Sequence, residues 1–290
     1  MTTAAHWVEG ARPRTLPAAV APVVAGTGAA AAASGAVWWK ALLALGVSLA
    51  LQVGVNYAND YSDGVRGTDR ERVGPLRLVG SGVAAPAAVK RAAWLAFAVA
   101  GVLGLVLAAT SGWWLLAVGA AAVLAAWLYT GGPRPYGYAG LGELFVFVFF
   151  GLVAVCGTTY VQVGRVTGPA SVCAVAVGLL ACAILVVNNL RDIPTDTTAG
   201  KRTLAVRLGD RGTRRLYSAL MTAPTLGPLV LAVGGYPWAS LGLLAVPLQL
   251  LPVRAVIGRA AGHELVPVLR NTGRAELAFA VLVGVGLALS

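Results

Sequence analysis

Apolar runs long enough to cross a membrane recur from one end of this sequence to the other, broken only by short clusters of Arg, Asp and Pro. A helix needs about 20 apolar residues to cross the hydrocarbon of a bilayer. In lipid only helices and closed barrels satisfy their own backbone hydrogen bonds. The runs are too long for strands, so the expected fold is all-α, a polytopic membrane bundle. Candidate spans fall near residues 15–34, 37–58, 92–110, 113–130, 143–163, 170–189, 215–234, 237–257 and 275–289, which makes nine transmembrane helices. Only 11% of the residues are charged, against roughly 25% in an ordinary soluble domain. No linker or low-complexity segment interrupts the pattern, so residues 1–290 read as a single transmembrane domain. The opening stretch, with Glu9, Arg12 and Arg14 leading straight into a span, lacks the layout of a cleaved secretory signal.

Charge placement orients the bundle. Of the 22 Lys and Arg, all but Lys40 and Arg165 fall on one side of this layout. Short loops rich in Lys and Arg stay cytoplasmic, so the N-terminus is expected in the cytoplasm and, with nine spans, the C-terminus outside. The net charge of +11 is then a topology signal and not the footprint of a nucleic-acid partner. The acidic residues also gather on the basic side, although the topology rule asks nothing of them. That face is expected to need carboxylates. Cys156, Cys173 and Cys182 lack the spacing of a zinc site and read as packing residues. Trp38, Trp39, Trp113 and Trp114 open spans on the opposite side as an interfacial belt.

Two clusters hold most of the chemistry. The first closes the second span: Asn56-Tyr-Ala-Asn59-Asp60-Tyr-Ser-Asp63, continuing to Asp69. On a continuous helix Asn56, Asp60 and Asp63 stand at i, i+4 and i+7 and are expected to share a face. The second closes the sixth span: Asn188, Asp192 and Asp196 repeat the four-residue spacing, with Pro194 expected to break or kink the helix between the two carboxylates. Carboxylates at a membrane boundary cost free energy unless they are paired or hold a cation. Hard oxygen donors suit Mg2+, which is held by a few carboxylates together with water and substrate phosphates. The two clusters are therefore expected to grip Mg2+ around one diphosphate. The interspersed Arg66, Arg72, Arg77, Arg191, Lys201 and Arg202 offer phosphate contacts. The only histidines, His6 and His263, lie far from both clusters in sequence, and no serine sits in a nucleophile elbow. The expected chemistry is electrostatic: charge stabilisation on a diphosphate leaving an allylic carbon.

Together these residues resemble the membrane aromatic prenyltransferase superfamily that makes ubiquinones, menaquinones and related lipids. Gly10-Ala-Arg12-Pro-Arg14-Thr-Leu-Pro17, Asn56 to Asp69, Gly74-Pro-Leu-Arg77, Arg134-Pro-Tyr136-Gly-Tyr138 with Gly142-Glu143, and Asn188 to Asp196 continuing into Lys201 and Leu204-Ala-Val-Arg207-Leu-Gly209 carry the likeness. Within that superfamily they are most similar to the 1,4-dihydroxy-2-naphthoate polyprenyltransferases, especially actinobacterial ones. The resemblance implies nine helices around a central cavity, with Mg2+ and diphosphate at its cytoplasmic end and the isoprenoid tail passing toward lipid. It implies a polyprenyl diphosphate donor and 1,4-dihydroxy-2-naphthoate as acceptor, with loss of CO2 and diphosphate to give demethylmenaquinol. It also implies Asp60, Asp63, Asp192 and Asp196 as the metal and catalytic carboxylates, Asn56 and Asn188 as supporting oxygens, Arg72, Arg191 and Lys201 as diphosphate contacts, and Tyr136, Tyr138 and Glu143 beside the acceptor. Many relatives carry a third Asp four residues after the position of Asp63, where this chain has Gly67, and Asp69 follows two residues later. Two other readings compete: the same diphosphate site serving another acceptor such as 4-hydroxybenzoate, and a cation transporter using the carboxylates as its ion site.

Overall fold

The computed structural model describes residues 2–67 and 76–290, and the described residues contain helices and no strand. Asp69 and Arg72 lie outside the described residues. The main elements are α1 (Ala4–Gly10), α2 (Pro17–Ala32), α3 (Trp38–Arg66), α4 (Pro86–Ser111) and α5 (Leu115–Leu128). They continue with α6 (Gly142–Val163), α7 (Gly168–Thr198), α8 (Leu204–Val233), α9 (Pro237–Ile257) and α10 (Leu265–Ala288). By length and composition α3, α4, α6, α7, α8 and α9 can each cross a bilayer, which makes this a multi-pass membrane protein. The segment Ala4–Thr15 meets α2 at a 50° bend, and the pair makes a seventh crossing if it counts as one span. The 14-residue α5 is short for a span, and α10 carries Arg270, Arg274 and Glu276 within its 24 residues.

Helix α7 is the pillar of the bundle. Of its most apolar window 72% is buried, against 28% for α3. Its Ala174, Val177, Leu180 and Val187 pack with Ala21 and Ala25 of α2 and Phe279 and Val283 of α10 in the larger core. Helices α2 and α10 approach closely where Gly28 faces Gly284, since a Cβ on Gly28 would lie 2.4 Å from the Gly284 Cα. A second, smaller core joins Tyr57 and Ala58 of α3 to Leu78, Val89 and Phe97. Leu95, Val102, Leu124 and Val233 stay exposed, as lipid-facing side chains do. Trp38 and Trp113 are likewise exposed. All three cysteines are free, with Cys173 and Cys182 buried.

Two local features go beyond the sequence pattern. Helix α7 does not stop at Pro194 but runs on to Thr198 with the proline inside it. The proline removes one backbone donor, and the Thr197 and Thr198 hydroxyls bond back to the Ile193 and Pro194 carbonyls across the same turn. Helix α6 holds a ten-residue π-helical stretch, Phe147–Cys156, that the apolar pattern did not announce.

Candidate active site

A cavity of about 1300 Å³ runs between α2, α3, α4, α5, α6 and α7, apolar along most of its wall. Its polar end gathers Asn56, Asn59 and Asp63 from α3, Asn188, Arg191, Asp192 and Asp196 from α7, and Lys201, Arg77, Tyr136 and Tyr138 from the intervening loops. Of the described residues expected at a site, all but Asp60, Arg66, Glu143 and Arg202 line this space.

Rotation of α3 about its axis decides which acidic residue faces inward. At about 100° per residue, Asn59, Asp63, Asn56, Asp60 and Gly64 fan out in that order over roughly 140°, so Asp60 stands about 60° from Asp63 and turns toward the next face with Gly64. That next face is pressed against the segment after Pro75: a Cβ on Gly64 would lie 2.5 Å from Val79. Asp60, fully buried, accepts the backbone N–H of Leu78 at 2.8 Å and of Val79 at 3.0 Å, one on each carboxylate oxygen. The expectation that Asn56, Asp60 and Asp63 point the same way is therefore corrected. Asp60 caps the turn at Leu78 and Val79, and Asn59 completes the polar face that lines the cavity. The Asn59 Oδ1 accepts the Thr130 hydroxyl at 2.8 Å. Asn56 donates to the Ala11 carbonyl at 2.9 Å and to Thr15 Oγ1 at 3.1 Å, tying α3 to the N-terminal segment.

On α7 the cluster is more self-contained. Arg191 grips Asp192 with both arms of its guanidinium, at 2.7 and 3.0 Å, and reaches the Asn188 Oδ1 at 2.8 Å. Lys201 links the clusters: its Nζ lies 3.5 Å from Asp63 and 3.8 Å from Asp196. The same ammonium sits 4.5 Å over the Tyr138 ring, whose hydroxyl donates to Asp63, and the Arg66 guanidinium lies 5.6 Å from that ring. Arg66 in turn donates to the Thr130 and Gly132 carbonyls, so the last turn of α3 fixes the start of the loop that carries both tyrosines. Tyr136 stacks on Phe145 at 3.9 Å and donates to the Ala125 carbonyl, and burial pushes its phenol up from the ordinary range. Glu143 lies behind this wall with Oε1 accepting from Asn189.

The donor set fits a hard divalent cation. Among the described residues no three acidic, imidazole or thiol side chains form a preformed metal cluster. Asp63, Asp192 and Asp196, with Asn59 and Asn188 beside them, offer carboxylate and amide oxygens and leave coordination positions for water and phosphate. That is how Mg2+ is usually bound. A second polar patch lies farther along the cavity. One guanidinium nitrogen of Arg12, a residue with φ of 55°, and the Oε1 of Gln52 are both buried without a hydrogen-bond partner among the described residues. Gln52 stands inside an apolar run with no sequence mark of a site residue. For the register of α3 a sign was present, because Gly64, one turn after Asp60, marks a close backbone approach.

Residues 19–264 match the UbiA prenyltransferase family. The chain is 58% identical over 288 residues to the 1,4-dihydroxy-2-naphthoate octaprenyltransferase of Mycobacterium tuberculosis, covering 99% of this chain and 98% of that protein. It is 38% identical to the Escherichia coli enzyme of the same name, covering 98% and 95%. Among solved structures it is similar to a UbiA homologue from Archaeoglobus fulgidus bound to GPP and Mg2+, with a TM-score of 0.68, 15% identity and coverage of 98% and 99%. At that identity the likeness speaks for the fold, whereas the family match and the full-length relatives speak for descent. The chain belongs to the UbiA prenyltransferase family.

Proposed function

We propose that this chain transfers a polyprenyl group from a polyprenyl diphosphate to 1,4-dihydroxy-2-naphthoate in menaquinone biosynthesis. The allylic carbon–oxygen bond breaks and diphosphate leaves with its electron pair. The electron-rich ring carbon bearing the carboxylate forms the new carbon–carbon bond, and CO2 departs as the ring regains aromaticity, giving demethylmenaquinol. The observation that carries this reading is the meeting of both Asn/Asp clusters at one end of a cavity whose remaining wall is apolar. The 58% identical relative named for this reaction supports the choice of acceptor.

Each part of the cavity has a task. Asp63, Asp192 and Asp196, assisted by Asn59 and Asn188, would hold Mg2+, which when bound neutralises diphosphate charge as the carbon–oxygen bond breaks. Arg191 and Lys201 supply cations to the same phosphates, and Arg72 belongs to this group by resemblance. Tyr136 and Tyr138 wall the space where an allyl cation forms, and their π-faces favour positive charge. The unpaired donor of Arg12 and acceptor of Gln52 match a carboxylate and a ring hydroxyl, so they seat the naphthoate. Asp60 acts outside the cavity, by holding the segment that carries Arg77.

The proposed architecture is one domain of nine spans over residues 1–290, with α2, α5 and α10 joining the six long apolar helices. It lies in the inner membrane with the N-terminus and the polar cavity end in the cytoplasm, as the basic loops favour. The purified chain, given octaprenyl diphosphate, Mg2+ and either acceptor, is expected to prenylate the naphthoate and release CO2. Product from 4-hydroxybenzoate alone, or from neither acceptor, overturns the reading. A single cysteine placed at Ser81 should react with a membrane-impermeant maleimide only when the cytoplasmic face is open. Labelling of intact cells once the outer barrier is removed would reverse the orientation.

A further inference from the structure

The two cations at the polar end are held in different ways. Arg191 makes three hydrogen bonds from a rigid planar group, two to Asp192 and one to Asn188, all between 2.7 and 3.0 Å. Lys201 makes two looser ion pairs, at 3.5 Å to Asp63 and 3.8 Å to Asp196, and rests 4.5 Å from the Tyr138 ring. It follows Gly200, which has a φ of 71°, in the short connection between α7 and α8. A lysine carries its charge on a flexible four-carbon stem, so its ammonium can move several ångströms by rotamer changes alone. Arg191 is thus a fixed cation and Lys201 a movable one.

The position of Lys201 bears on how a metal enters. Its ammonium is shared between one carboxylate from each cluster, Asp63 of α3 and Asp196 of α7. A divalent ion taking those same oxygens would stand within a few ångströms of a like charge in a buried site, where repulsion is poorly screened. Both cannot stay. We propose that Lys201 is the resident counter-cation of the two clusters, leaving Asp63 and Asp196 when a divalent ion arrives and turning to the diphosphate that arrives with it. This rests on the proposed metal-diphosphate site and adds an order to it. Metal alone must displace Lys201 with no new partner for the ammonium, whereas metal with diphosphate supplies one. Each ligand therefore strengthens the other beyond their attraction in solution, as a coupling that both must share equally.

A residue that only touched diphosphate would leave the affinity for metal alone unchanged, and that separates the two cases. Mn2+ binding to the full chain in nanodiscs, followed by the electron-spin resonance of the free ion, is the measurement, without and with inorganic diphosphate. Lys201→Gln is expected to bind Mn2+ alone about tenfold more tightly than the unsubstituted chain and to gain less from added diphosphate, within the usual range of such couplings. Lys201→Arg, which keeps a cation, is expected to stay near the unsubstituted chain for Mn2+ alone. Equal or weaker binding of Mn2+ alone by Lys201→Gln overturns the exchange. Absence of Mn2+ binding by every chain, even with diphosphate, overturns the metal-diphosphate reading itself. A second measurement needs no substitution: acetylation of Lys201 in the natural chain, read by mass spectrometry, should quicken with Mn2+ alone and slow again when diphosphate is added. A rate indifferent to Mn2+ overturns the proposal.

Discussion

Helices α3 and α7 carry nearly the same run of side chains, an Asn followed by Asp at four-residue spacing, yet the bundle treats them differently. Helix α7 is buried along most of its length, and its cluster is closed by its own Arg191. Helix α3 is buried on one face only, and its cluster depends on distant parts of the chain: Ala11 and Thr15 for Asn56, Thr130 for Asn59, Tyr138 and Lys201 for Asp63. The pillar aims its carboxylates with help from close by in sequence, Arg191 on Asp192 and Lys201 on Asp196. The half-buried helix draws on distant segments, and Asp60 supplies part of that support by anchoring the turn at Leu78 and Val79.

The largest expected effect tests whether the inward-facing carboxylates of both helices do one job. Asp192→Asn and Asp63→Asn should each lower kcat by about 10²–10³-fold, the usual scale for losing one preorganised electrostatic contact. Steady-state prenyl transfer with melting curves alongside measures it. A tenfold smaller loss in Asp63→Asn than in Asp192→Asn would mean that the α3 cluster is accessory. The next effect should split α3 itself. Asp60→Ala leaves two buried amides without acceptors and is expected to cost about 3 kcal/mol of stability, with KM for the donor raised through Arg77. Affinity for Mn2+ with diphosphate should change less than twofold, whereas Asp63→Asn should weaken it at least tenfold. Loss of metal affinity in Asp60→Ala equal to that in Asp63→Asn would restore Asp60 as a ligand.

How much of this was legible in the sequence follows from the same contrast. That both clusters reach one cavity through Asp63, Asp192 and Asp196 is legible, because the spacing that singles them out is a property of the chain alone. The choice between the Asn56–Asp60 and Asn59–Asp63 pairs is not, since both have four-residue spacing and about 60° of helix rotation separates Asp60 from Asp63. That rotation is set by packing on the 78–80 turn, for which Gly64 is the one local hint. Of the break or kink that Pro194 predicts, no break occurs: α7 runs on to Thr198, held by the buried turn from Asn189 to Asp192 that precedes the proline. The place of Glu143 behind the wall and the orphan acceptor of Gln52 are tertiary facts without a sequence signature.

A smaller effect probes the N-terminal segment that leans on α3. Arg12→Gln removes the charged donor proposed for the acceptor carboxylate and should raise KM for the naphthoate about tenfold, the worth of one charge-assisted hydrogen bond. KM for the prenyl diphosphate should stay within twofold. Equal increases in both constants would make Arg12 a phosphate contact and move the acceptor seat elsewhere.

The smallest effect concerns the loop that bridges the two helices. Tyr136 donates to the Ala125 carbonyl from a buried position, and burial raises its phenol above the ordinary value near 10. The folded chain then keeps a proton that the unfolded chain gives up, so this residue's stabilisation is complete below about pH 10 and declines as pH rises further. Tyr136→Phe loses the hydrogen bond, about 1 kcal/mol, and loses the alkaline decline with it. Melting temperatures in detergent at pH 8 and pH 10.5 should show the natural chain ahead at the lower pH and the gap narrowing at the higher one. Curves that stay parallel would mean that Tyr136 does not ionise on unfolding in this range, and its place in the wall would then rest on the Phe145 stack alone.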